Sequence, residues 1–295
     1  MSNLTLALCD ANGNALETRR GPGAAESRGR FAQVFDQLAA SWVAHGPRPV
    51  VLCGTVGSSF GWCEAPLLPC PADLHQLTGV SVAVREGIRI VPGLRCTNRL
   101  GAPDVMRGEE TQLLGARVLD TTMSRDKQLV CMPGTHTKWV SLNGSVVQEF
   151  LTAPTGELFA MLCEHSVLVR EQAAPIVHDP GEFDRGLAAA ANHPDVSVLH
   201  KLFQCRSLRL DQQLSRESAP SWMSGLLIGT DVASALPLFA GHDGRVPVHV
   251  IGAPQLTALY ALAITRRGRT VIQIDGAGAA LAGLALVYRE QERRD

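Results

Sequence analysis

Apolar residues fall at three- and four-residue steps through Phe31, Val34, Phe35, Leu38 and Trp42, a spacing that predicts an amphipathic helix over 29–44. Ahead of it, 4–8 and 15–18 read as short strands around Asp10-Ala-Asn12-Gly13. An Asn-Gly pair tolerates the positive φ of a tight primed turn, so the chain is expected to open on a β-hairpin. Short apolar runs at 50–53, 80–84 and 88–91 are strand candidates, and 109–119 has helical spacing. The low-apolar stretch 121–127 reads as a linker. Beyond it, strands at 129–132 and 139–142, an Asn143-Gly144 turn and a strand at 145–151 predict a second hairpin. Helices are expected over 156–169, 181–191, 221–238 and 254–265, strands at 248–251 and 271–274, and a small-residue helix over 276–288. Hairpin followed by alternating helix and strand occurs twice. The pattern therefore predicts two similar α/β domains, 1–120 and 121–295, facing each other across a cleft.

A chain of 295 residues is long enough for both. With 27 Lys and Arg against 28 Asp and Glu it has no basic surplus for a phosphate backbone, so nucleic acid is not an expected partner. The uncharged run 246–265 has the length of a membrane span, but Pro247, Gly252 and Pro254 break it, and no span is expected. The first ten residues lack the charged-then-apolar pattern of a secretory signal, which points to a cytoplasmic location. Eight cysteines without a C-x-x-C pair fit reduced thiols. Self-association as a homodimer is the commonest closed assembly.

Stock nucleotide fingerprints are missing: there is no P-loop, and Gly21-Pro-Gly23-Ala-Ala-Glu26 lacks the third glycine of a dinucleotide turn. No histidine pair has zinc-protease spacing, so no metal held by protein ligands is expected. Gly57-Ser58-Ser59-Phe60-Gly61 matches a hydrolase nucleophile elbow, yet Pro66, Pro69 and Pro71 oppose the helix that must follow the serine. A glycine-rich loop lining a cleft is the better reading. Arg107-Gly108-Glu109-Glu110 opens a helix, where a carboxylate can take a proton from a hydroxyl while an arginine holds an anion. Ordinary complementation of the helix dipole gives the same pattern. Met132-Pro-Gly134-Thr135-His136-Thr137-Lys138-Trp139 lies between strands, with backbone N–H groups, hydroxyls and two basic residues that could wrap a phosphate. Val248-His-Val-Ile-Gly252-Ala-Pro254 is a strand, glycine turn and helix start of the kind that lets a ring or phosphate approach the backbone.

In order along the chain, Val56-Gly-Ser-Ser-Phe-Gly-Trp62, Ile90-Val-Pro-Gly-Leu94, Asp104-Val-Met-Arg-Gly-Glu-Glu-Thr-Gln-Leu-Leu-Gly115, the Met132–Trp139 segment and Ser224-Gly-Leu-Leu-Ile-Gly229 resemble the bacterial 2-keto-3-deoxygalactonate kinase family. The resemblance implies two RNase H-like, actin-like ATPase domains and ATP-dependent phosphorylation of a keto-deoxy sugar acid at its terminal hydroxyl. It implies Glu109 as base with Glu110 as second choice, and Gly134, Thr135 and Thr137, with His136 and Lys138, on the phosphates. It also implies Gly252 under the adenosine, Mg²⁺ with ATP, Arg107 or Arg95 on the substrate carboxylate, and Ser58, Ser59 and Trp62 lining that pocket. The family's first strand, ending in Asp-Trp-Gly-Thr, precedes the residues that align with Ser2-Asn3-Leu4-Thr5, so the N-terminal domain is expected to lack it, and arginine is usual where Thr5 stands. A relative that binds a sugar acid without turnover is the alternative of another class.

Overall fold

The computed structural model describes residues 4–10, 13–44, 46–124, 127–169, 178–239, 241 and 244–293. The chain divides into two compact units: Met1–Gln128, Val140–Leu151 and Ile274–Asp295 form the first, Leu129–Trp139 and Thr152–Gln273 the second. A single cut near residue 120 thus gives way to interleaved units. Within the expected linker, Thr121–Ser124 is a 3-10 turn that buries Met123, and Lys127 already belongs to a strand; Arg125 and Asp126 lie outside the described residues.

In the first unit, β1 (Leu4–Cys9) pairs antiparallel with β2 (Ala15–Gly21). Gly13 closes their turn at φ 87, while Ala11 and Asn12 lie outside the described residues. Helix α1 (Phe31–Val43) buries Val34, Phe35 and Ala39, and its apolar stripe joins Leu6 and Ile88 in one core cluster. Each large side chain fully buried there contributes about 1.5–3 kcal/mol. Six short strands follow: β3 (Val50–Leu52), β4 (Leu67–Pro69), β5 (Ala72–Asp73), β6 (Val82–Arg85), β7 (Ile88–Ile90) and β8 (Gly93–Thr97). A seventh, β9 (Pro103–Met106), leads into α2 (Glu109–Leu119). Strand order is β3-β7-β6 in one sheet and β4-β8-β9 in another, with β3 parallel to β7 and β4 parallel to β8.

Strand β10 (Lys127–Met132) enters the second unit at Leu129, followed by the hairpin β11 (Thr137–Asn143) and β12 (Val146–Ala153), whose Asn143-Gly144 turn stands where the pattern predicts it. The far half of this hairpin belongs to the first unit, where β12 pairs with β5. Helices α3 (Thr155–His165), α4 (Pro180–Ala191), α5 (Val198–Leu210) and α6 (Ala219–Leu238) come next, then β13 (Val248–Gly252), α7 (Pro254–Thr265) and β14 (Val271–Asp275). Strand β13 lies parallel beside β10, with Val130 opposite His249. Asp179 caps α4 by accepting the Glu182 N–H, and Pro180 presets its first turn. Around Trp222, Met223 and Leu226 of α6 the second core closes with Leu202 and Cys205 of α5. The final helix, α8 (Gly276–Glu292), returns to the first unit and packs on α2.

Two glycine pairs permit the tightest crossings. A Cβ at Gly115 of α2 would collide with the Ala279 carbonyl of α8, and one at Gly283 with the Thr111 carbonyl. In the second unit a Cβ at Gly186 of α4 would meet the Trp222 carbonyl of α6, and one at Gly225 the Phe183 carbonyl. No helix among the described residues is long and apolar enough to cross a membrane.

Candidate active site

The first unit gathers its chemistry where the turn after β3 meets the start of α2. Gly108 precedes α2 at φ 104, a conformation open to glycine, and a Cβ there would lie 3.2 Å from the Gly54 Cα. This turn sets the two carboxylates apart. Glu109 stays half-buried, its Oε2 accepting the Arg107 N–H at 3.1 Å. Glu110 is buried, 1% exposed, and its two oxygens accept the Gly108 N–H at 2.9 and 2.7 Å and, through Oε1, the Thr111 hydroxyl at 2.9 Å. Burial first, and the neighbouring Glu109 charge second, push Glu110 up to about 8. Cys53 is half-buried beside it, and loss of water around its thiol pushes it up to about 12.

Arg107 is half-buried: Nη2 donates to the Ala65 carbonyl at 2.5 Å, and Nη1 has no hydrogen-bond partner among the described residues. A Cβ at Gly57 would lie 3.2 Å from that Nη1, so the glycine-rich turn leaves room for the guanidinium. Arg95 is exposed on β8, two residues beyond Gly93, whose own side faces the Arg107 stem; alternation along a strand puts Arg95 on that same face. Of the serines, Ser58 gives its hydroxyl to the Thr55 carbonyl at 2.8 Å and Ser59 is exposed. A 3-10 turn, Gly54–Gly57, precedes them and no helix follows, so the elbow geometry does not form. Trp62 stacks at 5.5 Å on Phe35 beneath Arg85, a packing role in the α1 cluster.

The second unit holds the loop between β10 and β11. Gly134 is half-buried, and Thr135 and His136 are exposed. The His136 ring meets the Glu157 carboxylate at 2.8 Å, and the Glu157 N–H donates to the Thr135 carbonyl at 2.9 Å. These contacts seat the loop on the first turn of α3, where a helix carries its positive end. A Cβ at Gly156 would run into the Gly134 carbonyl, so this second glycine is needed for the approach. Nothing local in the sequence marks Gly156; its neighbour across the gap is 22 positions away in the chain. Gly252 supports the loop from beneath, with room for a Cβ only 3.1 Å from the Pro133 carbonyl.

Two expected phosphate donors are committed inward. Lys138 is 5% exposed and its Nζ donates to the Thr152 hydroxyl at 2.8 Å. Thr137 is fully buried, its hydroxyl 2.9 Å from that of Tyr260. Beside Gly134 opens a cavity of about 210 Å³, walled mostly by apolar side chains of four helices: Phe159, Phe183, Leu227, Ile228 and Tyr260 among them. Its flat aromatic walls suit a planar heterocycle, with Gly134 of the loop and Thr155 and Gly156 at the α3 N-terminus on its border for an attached anion. No group of three or more His, Cys, Asp or Glu side chains is gathered among the described residues.

Residues 1–287 match the sequence model of a family described as 2-keto-3-deoxy-galactonokinase. A protein of Rhizobium meliloti (strain 1021), named as a 2-dehydro-3-deoxygalactonokinase, is 35% identical over 264 residues, covering 88% of this chain and 84% of that one. The 2-dehydro-3-deoxygalactonokinase of Escherichia coli (strain K12) is 36% identical over 253 residues, covering 86% and 82%. A crystal structure from Sinorhizobium meliloti, described as the same kind of protein, superposes with a TM-score of 0.83 at 34% identity, covering 98% of this chain and 93% of that one.

Proposed function

The chain belongs to the 2-keto-3-deoxy-galactonokinase family, and on that premise we propose how its residues divide the family's reaction, ATP-dependent phosphorylation of 2-keto-3-deoxygalactonate at the terminal hydroxyl. The observation that carries the activity is the match over residues 1–287. The cavity beside Gly134 supports the nucleotide half of it.

Adenosine occupies the apolar cavity, and the phosphates lie on the Gly134–His136 backbone, the Thr135 hydroxyl and the N-terminus of α3. Glu109 is the base: it is the carboxylate left within reach of solvent, and the Arg107 N–H holds its Oε2 in one orientation. It takes the proton from the acceptor hydroxyl as phosphoryl transfer proceeds. Arg95, exposed and able to present two parallel N–H groups, clamps the sugar-acid carboxylate. Arg107 instead braces the Ala65 carbonyl and shapes the pocket floor. Mg²⁺ would enter with ATP and would neutralise phosphate charge in the transfer.

A coupled assay of ADP release with Mg-ATP tests this. Release is expected to depend on the sugar acid; folded protein that releases no ADP on its addition, yet melts higher in its presence, would replace the kinase reading with that of a binding protein.

A further inference from the structure

Asp231, on α6, collects three donors: Trp139 Nε1 at 2.9 Å on Oδ1, and the hydroxyls of Thr155 at 3.0 Å and Tyr260 at 2.7 Å on Oδ2. The carboxylate oxygens accept all three, which sets the direction of each proton. Tyr260 gives its proton to Asp231, and Thr137, 2.9 Å away, must then give its own to Tyr260. Burial pushes the Asp231 carboxyl up while the Tyr260, Trp139 and Thr155 donors pull it down. The four tethered residues are not scattered. Thr137 and Trp139 start β11 directly after the loop, Thr155 begins α3 one residue before Gly156, and Tyr260 and Thr155 both wall the cavity.

We infer that Asp231 is the positioning residue of the phosphate loop, fixing both ends of the Gly134–Gly156 approach and the cavity wall through one set of oriented hydrogen bonds. This rests on the nucleotide reading above. Thr137 is thereby turned inward, its hydroxyl proton spent on Tyr260, and Thr135 with the loop backbone faces the phosphates. An asparagine at 231 either sets its N–H against that of Trp139 or turns it to the Thr155 and Tyr260 hydroxyls, which must then accept instead of donate and so free the Tyr260–Thr137 bond to reverse.

The test compares ADP with adenosine, because a loop that has lost its anchor loses phosphate contacts and keeps the base. Asp231→Asn and Tyr260→Phe, the second a near-isosteric change in case the first folds poorly, are each expected to weaken ADP binding about tenfold and adenosine about twofold or less, on the scale of one hydrogen bond to a charged group. KM for ATP should rise in step while KM for the sugar acid holds. An unchanged ratio of ADP to adenosine affinity, whether both fall or neither does, overturns the inference. Wild-type protein that binds neither nucleoside nor nucleotide overturns the nucleotide reading itself, a result separable from the first.

Discussion

Glu109 and Glu110 differ by one peptide unit and are put to different use by burial. Replacing the half-exposed Glu109 by Gln should leave the fold and sugar-acid binding intact and lower kcat by about 10²–10⁴-fold, the usual scale of general-base loss; single-turnover kinetics on the folded variant checks it. Glu110→Gln should cost less than Glu109→Gln, and its larger effect lies in stability. Folded Glu110 keeps its proton up to about pH 8, against an ordinary value of 4.5. Between those values the folded state binds the extra proton, so stability falls as pH rises through the window, by about 3 kcal/mol at pH 7. Glutamine keeps an oxygen for the Gly108 and Thr111 donors and removes the titration. Melting temperature plotted against pH should therefore decline less steeply for Glu110→Gln, and parallel curves would refute it. The sequence identifies the pair of carboxylates but not their division, which is set by the positive φ of Gly108 and its closeness to Gly54, a contact between positions far apart in the chain.

At the scale of elements, α4 crosses α6 with no space for a side chain at Gly186 or Gly225. Gly186→Ala would set a methyl group against the Trp222 carbonyl and force the helices apart, outweighing the helix-propensity gain of up to about 1 kcal/mol; a net loss of about 1–3 kcal/mol is expected from urea unfolding. A more stable variant would mean that the crossing relaxes freely. Helices with a clean apolar period are legible from the sequence: α2 spans the predicted 109–119, and α1 and α4 lie within a residue or two of expectation; α7, apolar on most sides, is marked instead by Pro254 at its start. Helix α5 is not, because Leu199, Phe203 and Leu210 stay exposed while Lys201 is buried and donates to the Ala190 carbonyl, which erases the amphipathic stripe. Strands β4, β5, β8 and β9 are missed for another reason. They are two to five residues long, carry Pro, Gly and charge, and owe their form to pairing rather than to intrinsic preference. The predicted helix over 156–169 ends at His165, where Ser166 turns extended.

Taken whole, the molecule keeps all eight cysteines as free thiols, as the absence of close pairs suggests. Cys131, Cys163 and Cys205 are buried, and burial raises each of Cys53, Cys70, Cys131 and Cys205 away from the reactive thiolate. A thiol-specific chromogenic reagent should label exposed Cys9 first and the three buried cysteines on unfolding, with no change in melting temperature on adding reductant; early labelling of Cys131 would contradict the packing. The α/β class and the presence of two bodies are legible in the alternation of elements. The interleaving is not, since local pattern cannot say which core a returning segment joins. That interleaving matters to the ribosome. Helix α2 leaves the exit tunnel early, but α8, against which its Gly115 face packs, is made only after residues 120–275. At about 5–20 residues per second α2 waits roughly 10–30 s for that cover, whereas 129–139 and 152–273 of the second unit emerge within one stretch and can close first. The half made first is therefore the half finished last, and a nascent chain stalled before α8 is the species to which chaperones have most to offer.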